Sequence, residues 1–477
     1  MNIDRIDGDC RMTNMVTDRK DQLILYVVMA MAFFLDGLDG TIVTVALPEI
    51  GKSFAMSTSD SSWVVTVYFM MMAGLILVFG KIADKGAIKK VLVGGFIIFA
   101  LGSLLCALSY SSTFLLISRA IQGIGSAMLA STGIMLAVKF FPPKMMIFAM
   151  TLSVLGSSVG AAFGPTLGGI LTNALSWHWI FIINVPIGVI CAVFAHRYVP
   201  SDDKMDDMRF DYLGSLLLFL SLICGLYAVE SIPSHGIGVT NISALVAFVI
   251  IFAIFVIYDL KKEDPVLDLR LFKISRFDRA ILAFMILNAS YMGCLYLIPF
   301  MLSIEMGYDT MECGLIMLTQ ALVTLVLCLP VAKACSSRGT RTFAIIGCSL
   351  MMLTCITFTF LDSSTGLISL IFGLILLGSV WGFSGSSVGT RLVENVPSEK
   401  KGSASSLLSF FVYFGSALGT AMFSAFFNIG SNSSGISISD LPSDIFMDGF
   451  RFTMIVASIL AFCAVLLSAS IRSRTNE

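Results

Sequence analysis

The chain has 477 residues, of which 57% are apolar and only 13% charged, with a formal net charge of −1. A soluble domain carries about 25% charged residues. This composition therefore excludes a large water-soluble domain, and the near-neutral balance excludes a basic surface for nucleic acid.

In chain order, apolar runs fall near 23–47, 62–80, 91–109, 113–138, 146–172 and 179–199, then 212–230 and 241–259. Six more follow near 277–303, 312–333, 343–361, 366–390, 403–427 and 450–471. Each is about the 20 residues that cross a hydrocarbon core. The first 22 residues are polar and lack the apolar stretch of a signal peptide. The expected fold class is thus all-α, a polytopic membrane protein with fourteen spans.

Basic residues accumulate in cytoplasmic loops. With the N-terminus inside, every lysine and arginine falls in a cytoplasmic connection or tail except Lys52 and Arg451 outside and Arg119 within a span. A wrong span number in the middle would scramble this partition, so both ends are expected in the cytoplasm. The spans divide as six, two and six: a tail (1–22), a first bundle (23–199), a connector with two inserted spans (200–276), a second bundle (277–471) and a tail (472–477). Faint internal echoes point to duplication of a six-helix unit. Lys333-Ala-Cys-Ser-Ser-Arg-Gly repeats, in degraded form, the loop that begins Gly80-Lys-Ile-Ala-Asp-Lys, and Gly415 and Gly419 echo a glycine ladder in the fifth span.

Ionised groups in mid-bilayer cost at least ~2.5–3.5 kcal/mol, so each demands a reason. Three stand well inside the spans: Asp36, Asp39 and Arg119. The two aspartates share one helix face. Asp39 and Arg119 both lie roughly 9–15 Å below the outer surface, at a depth that permits pairing. The pair reads as a titrating site or as a buried strut. In the fifth span Gly156, Gly160, Gly164 and Gly168 recur every fourth residue, joined by Pro165 and Gly169. Such a side-chain-free stripe lets another backbone approach closely. The proline is expected to split or kink that span.

Other patterns carry nothing. Gly51-Lys52-Ser53 lacks the earlier glycine of a phosphate loop, and Gly123-Ile-Gly125 lacks the third glycine of a dinucleotide fingerprint. The eleven cysteines are scattered singly and the three histidines lie far apart, so neither metal nor cofactor is expected. No nucleophile motif occurs, and an enzyme is not expected.

Taken in order, these residues resemble the fourteen-span drug:proton antiporters of the major facilitator superfamily. Leu38-Asp-Gly-Thr-Ile-Val-Thr-Val-Ala-Leu-Pro48 is similar to the family's first-span signature, and Gly80 to Lys90 to its loop motif. Arg119-Ala-Ile-Gln-Gly-Ile-Gly125 resembles the span-four motif, and Gly160 to Gly169 the antiporter motif. Trp177 to Gly188 and Pro265 to Phe277 resemble markers of the fourteen-span branch. The loop motif departs at Gly86, which stands one residue early, and His178 replaces an arginine between Trp177 and Trp179.

The resemblance implies the major facilitator fold, two six-helix bundles around a central cavity plus two inserted helices. It implies a monomeric, proton-coupled exporter of small amphipathic, cationic compounds in the cell membrane, its partners being protons, substrate and lipid. The alternative is an exporter or importer of one metabolite. Asp39 would be the proton-coupling carboxylate and Arg119 its relay partner. Gly80, Asp84, Lys85 and Lys89 would form an inner gate, and the span-five stripe would seal the bundle interface. Asp36 lies outside the core signature; a second proton site, a cation-recognition carboxylate and a pore-lining neutral acid are its open readings. Tyr68, Gln122, Asn288, Tyr291, Gln320, Trp381 and Phe383 are candidate substrate contacts.

Overall fold

The structure, a computed structural model, describes residues 16, 18–141, 143–201, 211–235, 238–262, 265–273, 277–338, 340–362, 366–394, 401–433 and 436–470. Most of the expected N-terminal tail, much of the 200–211 connector and the tail 472–477 lie outside the described residues.

Thirteen helical stretches long and apolar enough to cross a membrane occur among the described residues, and one of them, Thr58–Ala107, turns at Gly86 and is numbered here as two helices. They are α1 (Arg19–Ser53), α2 (Thr58–Ile82), α3 (Ile88–Ala107), α4 (Ser112–Phe140), α5 (Pro143–Ala174) and α6 (Trp179–Tyr198, interrupted at Ile183). Two follow, α7 (Tyr212–His235) and α8 (Val239–Lys261). The last six are α9 (Phe277–Phe300), α10 (Thr310–Arg338), α11 (Thr340–Thr359), α12 (Leu367–Glu394), α13 (Lys401–Ser431) and α14 (Ser443–Ser470).

Several helices outrun the apolar runs that predict them, because polar caps rather than hydropathy set their ends. Asp18 caps α1 by accepting from the Lys20 amide (2.9 Å), ahead of the first apolar run. Ser57 and Asp60 cap α2 reciprocally, which starts that helix at Thr58. Between α2 and α3 the chain turns through Gly86, whose φ of 95° is the left-handed conformation that glycine adopts without strain. The shifted glycine of the loop motif thus makes the reversal itself.

The packing is two six-helix bundles, α1–α6 and α9–α14. Neighbours repeat between them with a shift of eight helices: α1 on α5 and α9 on α13, α3 on α4 and α11 on α12, α2 on α4 and α10 on α12, α3 on α6 and α11 on α14. The seam repeats too, with α5 against α10 and α13 against α2. Of the inserted pair, α7 packs on both α2 and α13, so it lies over one seam, where Phe219 meets Gly74 and Tyr227 meets Trp63. α8 packs chiefly on α7 and is exposed along most of its length, with Val246, Val249 and Ile250 facing outward. Asp211, Tyr258 and Lys262 link α7 and α8 at one end (2.9 and 3.7 Å).

The glycine stripe differs from expectation in two ways. Its four regularly spaced members face α1 inside the same bundle: Cβ atoms at Gly156 and Gly160 would overlap the carbonyl oxygens of Ala30 and Phe34. Those at Gly164 and Gly168 would overlap Thr41 and press on Ile42. Only the two additions reach the other bundle, where Gly169 and Pro165 close on Thr310 and Gly314 of α10. A period of four keeps residues on one helix face, and that face is taken by α1; Gly169, about 100° further round, points elsewhere.

Secondly, α5 is not split at Pro165. Proline cannot donate to the carbonyl four residues earlier, here Ala161. Thr41 Oγ1 of α1 lies 3.2 Å from that oxygen, while also lying 3.1 Å from its own Gly37 oxygen. The neighbouring helix thus offers the acceptor that the proline frees a hydroxyl shared with its own Gly37 and Leu38 carbonyls. Thr41→Val keeps the shape and removes the donor, and is expected to cost about 0.5–1.5 kcal/mol. Thermal unfolding of the detergent-solubilised protein measures it; an unchanged midpoint would remove Thr41 from this role.

Candidate functional site

Asp39 sits in the second half of α1, where the helix is buried on all sides, and is 0% exposed. Its Oδ2 accepts from Arg119 Nη1 at 2.6 Å, and its Oδ1 from Gln122 Nε2 at 2.8 Å and Asn184 Nδ2 at 3.0 Å. Arg119 and Gln122 are three apart on α4 and so share a face, while Asn184 comes from α6 just after its interruption. Arg119 is 1% exposed and places two further donors nearby, Nε on the Val64 carbonyl of α2 (2.9 Å) and Nη1 on Gln122 Oε1 (2.7 Å). Its guanidinium lies over the Tyr68 ring, 4.3 Å from the centroid. Gln122 also donates to Ser103 Oγ of α3 (2.8 Å).

The backbone makes room for this network through small residues. Gly102 lets α3 approach Gln122, Gly123 lets α4 approach Tyr68, and Gly125 lets α4 approach Phe99. The glycines of the span-four signature are thus the packing that places its arginine.

One turn along α1, Asp36 is 7% exposed and differently partnered. Its Oδ2 accepts from Tyr413 Oη of α13 at 2.9 Å, across the seam between bundles. Its Oδ1 accepts from Ser126 Oγ of α4 at 3.3 Å, and Ser126 accepts from Tyr68 Oη at 2.8 Å. Both direct partners of Asp36 are hydroxyls, whereas those of Asp39 are a guanidinium and two amides.

At the face that the charge count assigns to the outside, the bundles close on each other. Tyr296 Oη of α9 donates to the Thr58 carbonyl, Ser424 Oγ of α13 to Ser59 Oγ (3.2 Å), and Thr166 Oγ1 of α5 to the Gly314 carbonyl (3.2 Å). The segment after α13 folds over this face: the Ile438 amide donates to the Met56 carbonyl at 3.1 Å, and the Ile438 side chain seats against Gly51. Trp177 Nε1 adds a bond to Ser53 Oγ (3.2 Å). His178 stacks on Trp177 at 3.6 Å, and burial pushes its imidazole below the ordinary value.

The other expected residues divide. Tyr291, Gln320 and Trp381 come together in the second bundle, with Tyr291 Oη donating to Gln320 Oε1 (2.8 Å) and stacking on Trp381 (5.3 Å). Phe383 does not join them; it packs with Phe343, Val331 and Cys335. Two residues turn a helix by about 200°, which puts 381 and 383 on opposite faces. Asn288 ties α9 to α13 through the Val412 carbonyl (2.6 Å) and Ser416 Oγ (3.1 Å), and Gln122 and Tyr68 belong to the Arg119 network. In the expected gate, Gly80 lies at ordinary contact distance from Met135 and Ser131 of α4, Asp84 is exposed, and Lys85 and Lys89 are half-buried. Lys81 donates to the Pro265 carbonyl beyond α8 (2.7 Å).

Sequence reasoning missed Asn184, Ser126, Tyr413 and a further buried ionisable group, Glu230. Glu230 ended a predicted span, but α7 continues to His235 and leaves it 0% exposed near the seam. The available signal for Asn184 was a lone amide in an apolar run, Phe181-Ile-Ile-Asn-Val-Pro186.

The family profile described as Major Facilitator Superfamily matches residues 29–420. The riboflavin transporter RibZ of Clostridioides difficile is 30% identical over 86% of this chain and 89% of its own length. The putative multidrug resistance protein MdtD of Escherichia coli is 30% identical over 83% of this chain and 84% of its own. Among solved structures, a bacterial homologue of the human lysosomal transporter Spinster superposes with a TM-score of 0.68 at 14% identity, covering 95% of this chain and 98% of that one. The nucleoside transporter NupG gives 0.66 at 14%, covering 94% and 99%. At that identity the two structures establish the fold and nothing finer.

Proposed function

This chain belongs to the Major Facilitator Superfamily, a multi-pass membrane transporter of small molecules rather than an enzyme, and from that premise we propose that it exports amphipathic, cationic compounds in exchange for protons. One observation carries the reading: a carboxylate–guanidinium pair, Asp39–Arg119, buried among the spanning helices with a second carboxyl, Asp36, one turn away at the seam. Buried charge of this kind marks proton and ion pathways in membrane proteins. An acidic site whose arginine, Arg119, is already paired with Asp39 suits a positively charged substrate. The bundles 23–199 and 277–471 rock about the seam, and protonation changes the relative free energies of the two facing states. The protein works as a monomer of the fourteen-span drug:proton type in the cell membrane, both termini cytoplasmic, as the partition of basic residues supports. Gly80, Asp84, Lys85 and Lys89 serve as its inner gate.

A second reading, transport of one metabolite, draws on the likeness to RibZ. Inverted vesicles energised with an acid interior separate the two. Ethidium uptake that collapses the proton gradient, with several unrelated cations competing, is the expected result. Gradient-driven movement of riboflavin alone, with no response to any cation, selects the second reading; flux that ignores the proton gradient rejects proton coupling altogether.

A further inference from the structure

Between α3 and α6 the surface of the first bundle carries an elongated groove of about 890 Å³. Residue size makes it. Gly188 brings α6 onto α3, where a Cβ would meet that of Ala100 at 3.0 Å. Ala100 and Ala192, both buried, form a shallow floor beside this contact, and larger side chains rise around it as walls. Those walls are Ile97, Leu101 and Leu104 of α3 and Val189 and Val193 of α6, each at least 40% exposed. On spanning helices, exposed apolar walls of this kind meet acyl chains.

The groove is apolar along its length and basic at one end. By the partition of basic residues α3 runs outward and α6 inward. His196 and Arg197 therefore stand with Val93 at the cytoplasmic end, and Leu104 stands with Val185 at the other. From Val93 to Leu104 the groove covers about 16 Å, at 1.5 Å per residue. One leaflet of a hydrocarbon core is about 15 Å deep. The groove thus has the length of one leaflet and ends where its headgroups lie. Lys90 is exposed and precedes Val93 by one turn and Ile97 by two, so it shares the groove's face of α3. Arg197 is exposed as well, its guanidinium 5.9 Å from the centroid of the Tyr198 ring. Apolar shape alone selects little in a bilayer, because an acyl chain entering the groove leaves one hydrocarbon environment for another. Selection falls to the two cations, and basic pockets between spanning helices at this surface suit anionic headgroups.

We propose that this groove binds one anionic phospholipid of the cytoplasmic leaflet, an acyl chain lying along Ala100 and Ala192 and the phosphate held by Arg197 and Lys90. The assignment takes only the orientation from the proposed function and holds whatever compound the protein carries.

The test is native mass spectrometry of the delipidated full chain, mixed with equal amounts of dioleoyl phosphatidylglycerol and dioleoyl phosphatidylcholine. The two share their chains and differ in net headgroup charge. A basic residue near the surface favours an anionic lipid by about fivefold, so two of them predict one phosphatidylglycerol retained about twentyfold better. Arg197→Gln and Lys90→Gln are each expected to lower that preference about fivefold. Ala192→Phe fills the floor at unchanged net charge and is expected to abolish tight retention. Val193→Phe narrows the groove from a wall that is 60% exposed, so it decides the matter should Ala192→Phe fail to fold. Arg279→Gln, which removes a basic residue of the second bundle, is expected to change nothing. Glycerol phosphate, which has the phosphate and no chains, is expected not to compete. Equal retention of the two lipids overturns the proposal, as does a preference that survives Val193→Phe and Arg197→Gln or falls equally in Arg279→Gln. Competition by glycerol phosphate would make this a phosphate site and overturn it too. Loss of tetraphenylphosphonium binding in Val193→Phe, with lipid retention intact, would instead make the groove a port for substrate.

Discussion

Arg119→Met is expected to be the most damaging single substitution in the chain. It leaves the Asp39 carboxylate, 0% exposed, with two amides and no counter-charge, and it orphans the Val64 carbonyl. Breaking a buried pair from one side costs about 3–5 kcal/mol, a large share of the roughly 5–15 kcal/mol that holds a domain folded. Asp39→Asn errs in the opposite direction by burying Arg119 without its anion, and coupled transport is expected to be lost. The double variant Arg119→Met, Asp39→Asn removes both charges and recovers stability beyond what the single losses add up to. Monodispersity and thermal midpoint in detergent, read as a double-mutant cycle, measure this. Additive losses would mean that the two side chains do not stabilise each other. Recovery of folding without recovery of transport would separate the pair's structural part from its part in proton coupling.

Substitutions at the adjacent glycines 168 and 169 are expected to fail in different ways. At Gly168 a leucine meets Ile42 of α1 in the same bundle, so overpacking of about 1–3 kcal/mol falls on the fold itself. At Gly169 it meets Thr310 and Gly314 across the seam, so the same penalty falls only on the arrangement in which this face is closed. Since about 1.4 kcal/mol is tenfold in a population, Gly169→Leu shifts the balance toward the open arrangement by roughly 5- to 150-fold while the thermal midpoint hardly moves. A cysteine placed at Ser59, 5% exposed at the closed face, reports the shift through its reaction with a membrane-impermeant maleimide, the protein without that cysteine serving as blank. Faster labelling in Gly169→Leu and a lowered midpoint in Gly168→Leu are the expected pair of results. Equal labelling with and without Gly169→Leu would show that this contact does not govern closure.

Much of the architecture was legible in one dimension. Apolar runs of bilayer length mark the helices because the hydrocarbon core leaves backbone polar groups no partner but their own helix. Asp36, Asp39 and Arg119 stand out for the same reason: nothing keeps a charge in lipid cheaply. The helix ends were read less well, since Asp18 and Ser57 act through single hydrogen bonds that an apolar window does not register.

What tertiary structure alone decided is which of these features meet. The sequence by itself determined that two aspartates share a face of one helix and that an arginine lies at matching depth; it did not determine which carboxylate the arginine takes. Packing of α4 and α6 on α1 gives Arg119 to Asp39, and packing of α13 gives Tyr413 to Asp36. A period of four showed that α5 presents a smooth stripe, but only the neighbour facing it shows that the stripe holds a bundle together and that Gly169 alone turns to the seam with Pro165. Local pattern fixes what a helix must bury; the partner that buries it is chosen by contacts tens to hundreds of residues apart, such as the 377 positions between Asp36 and Tyr413.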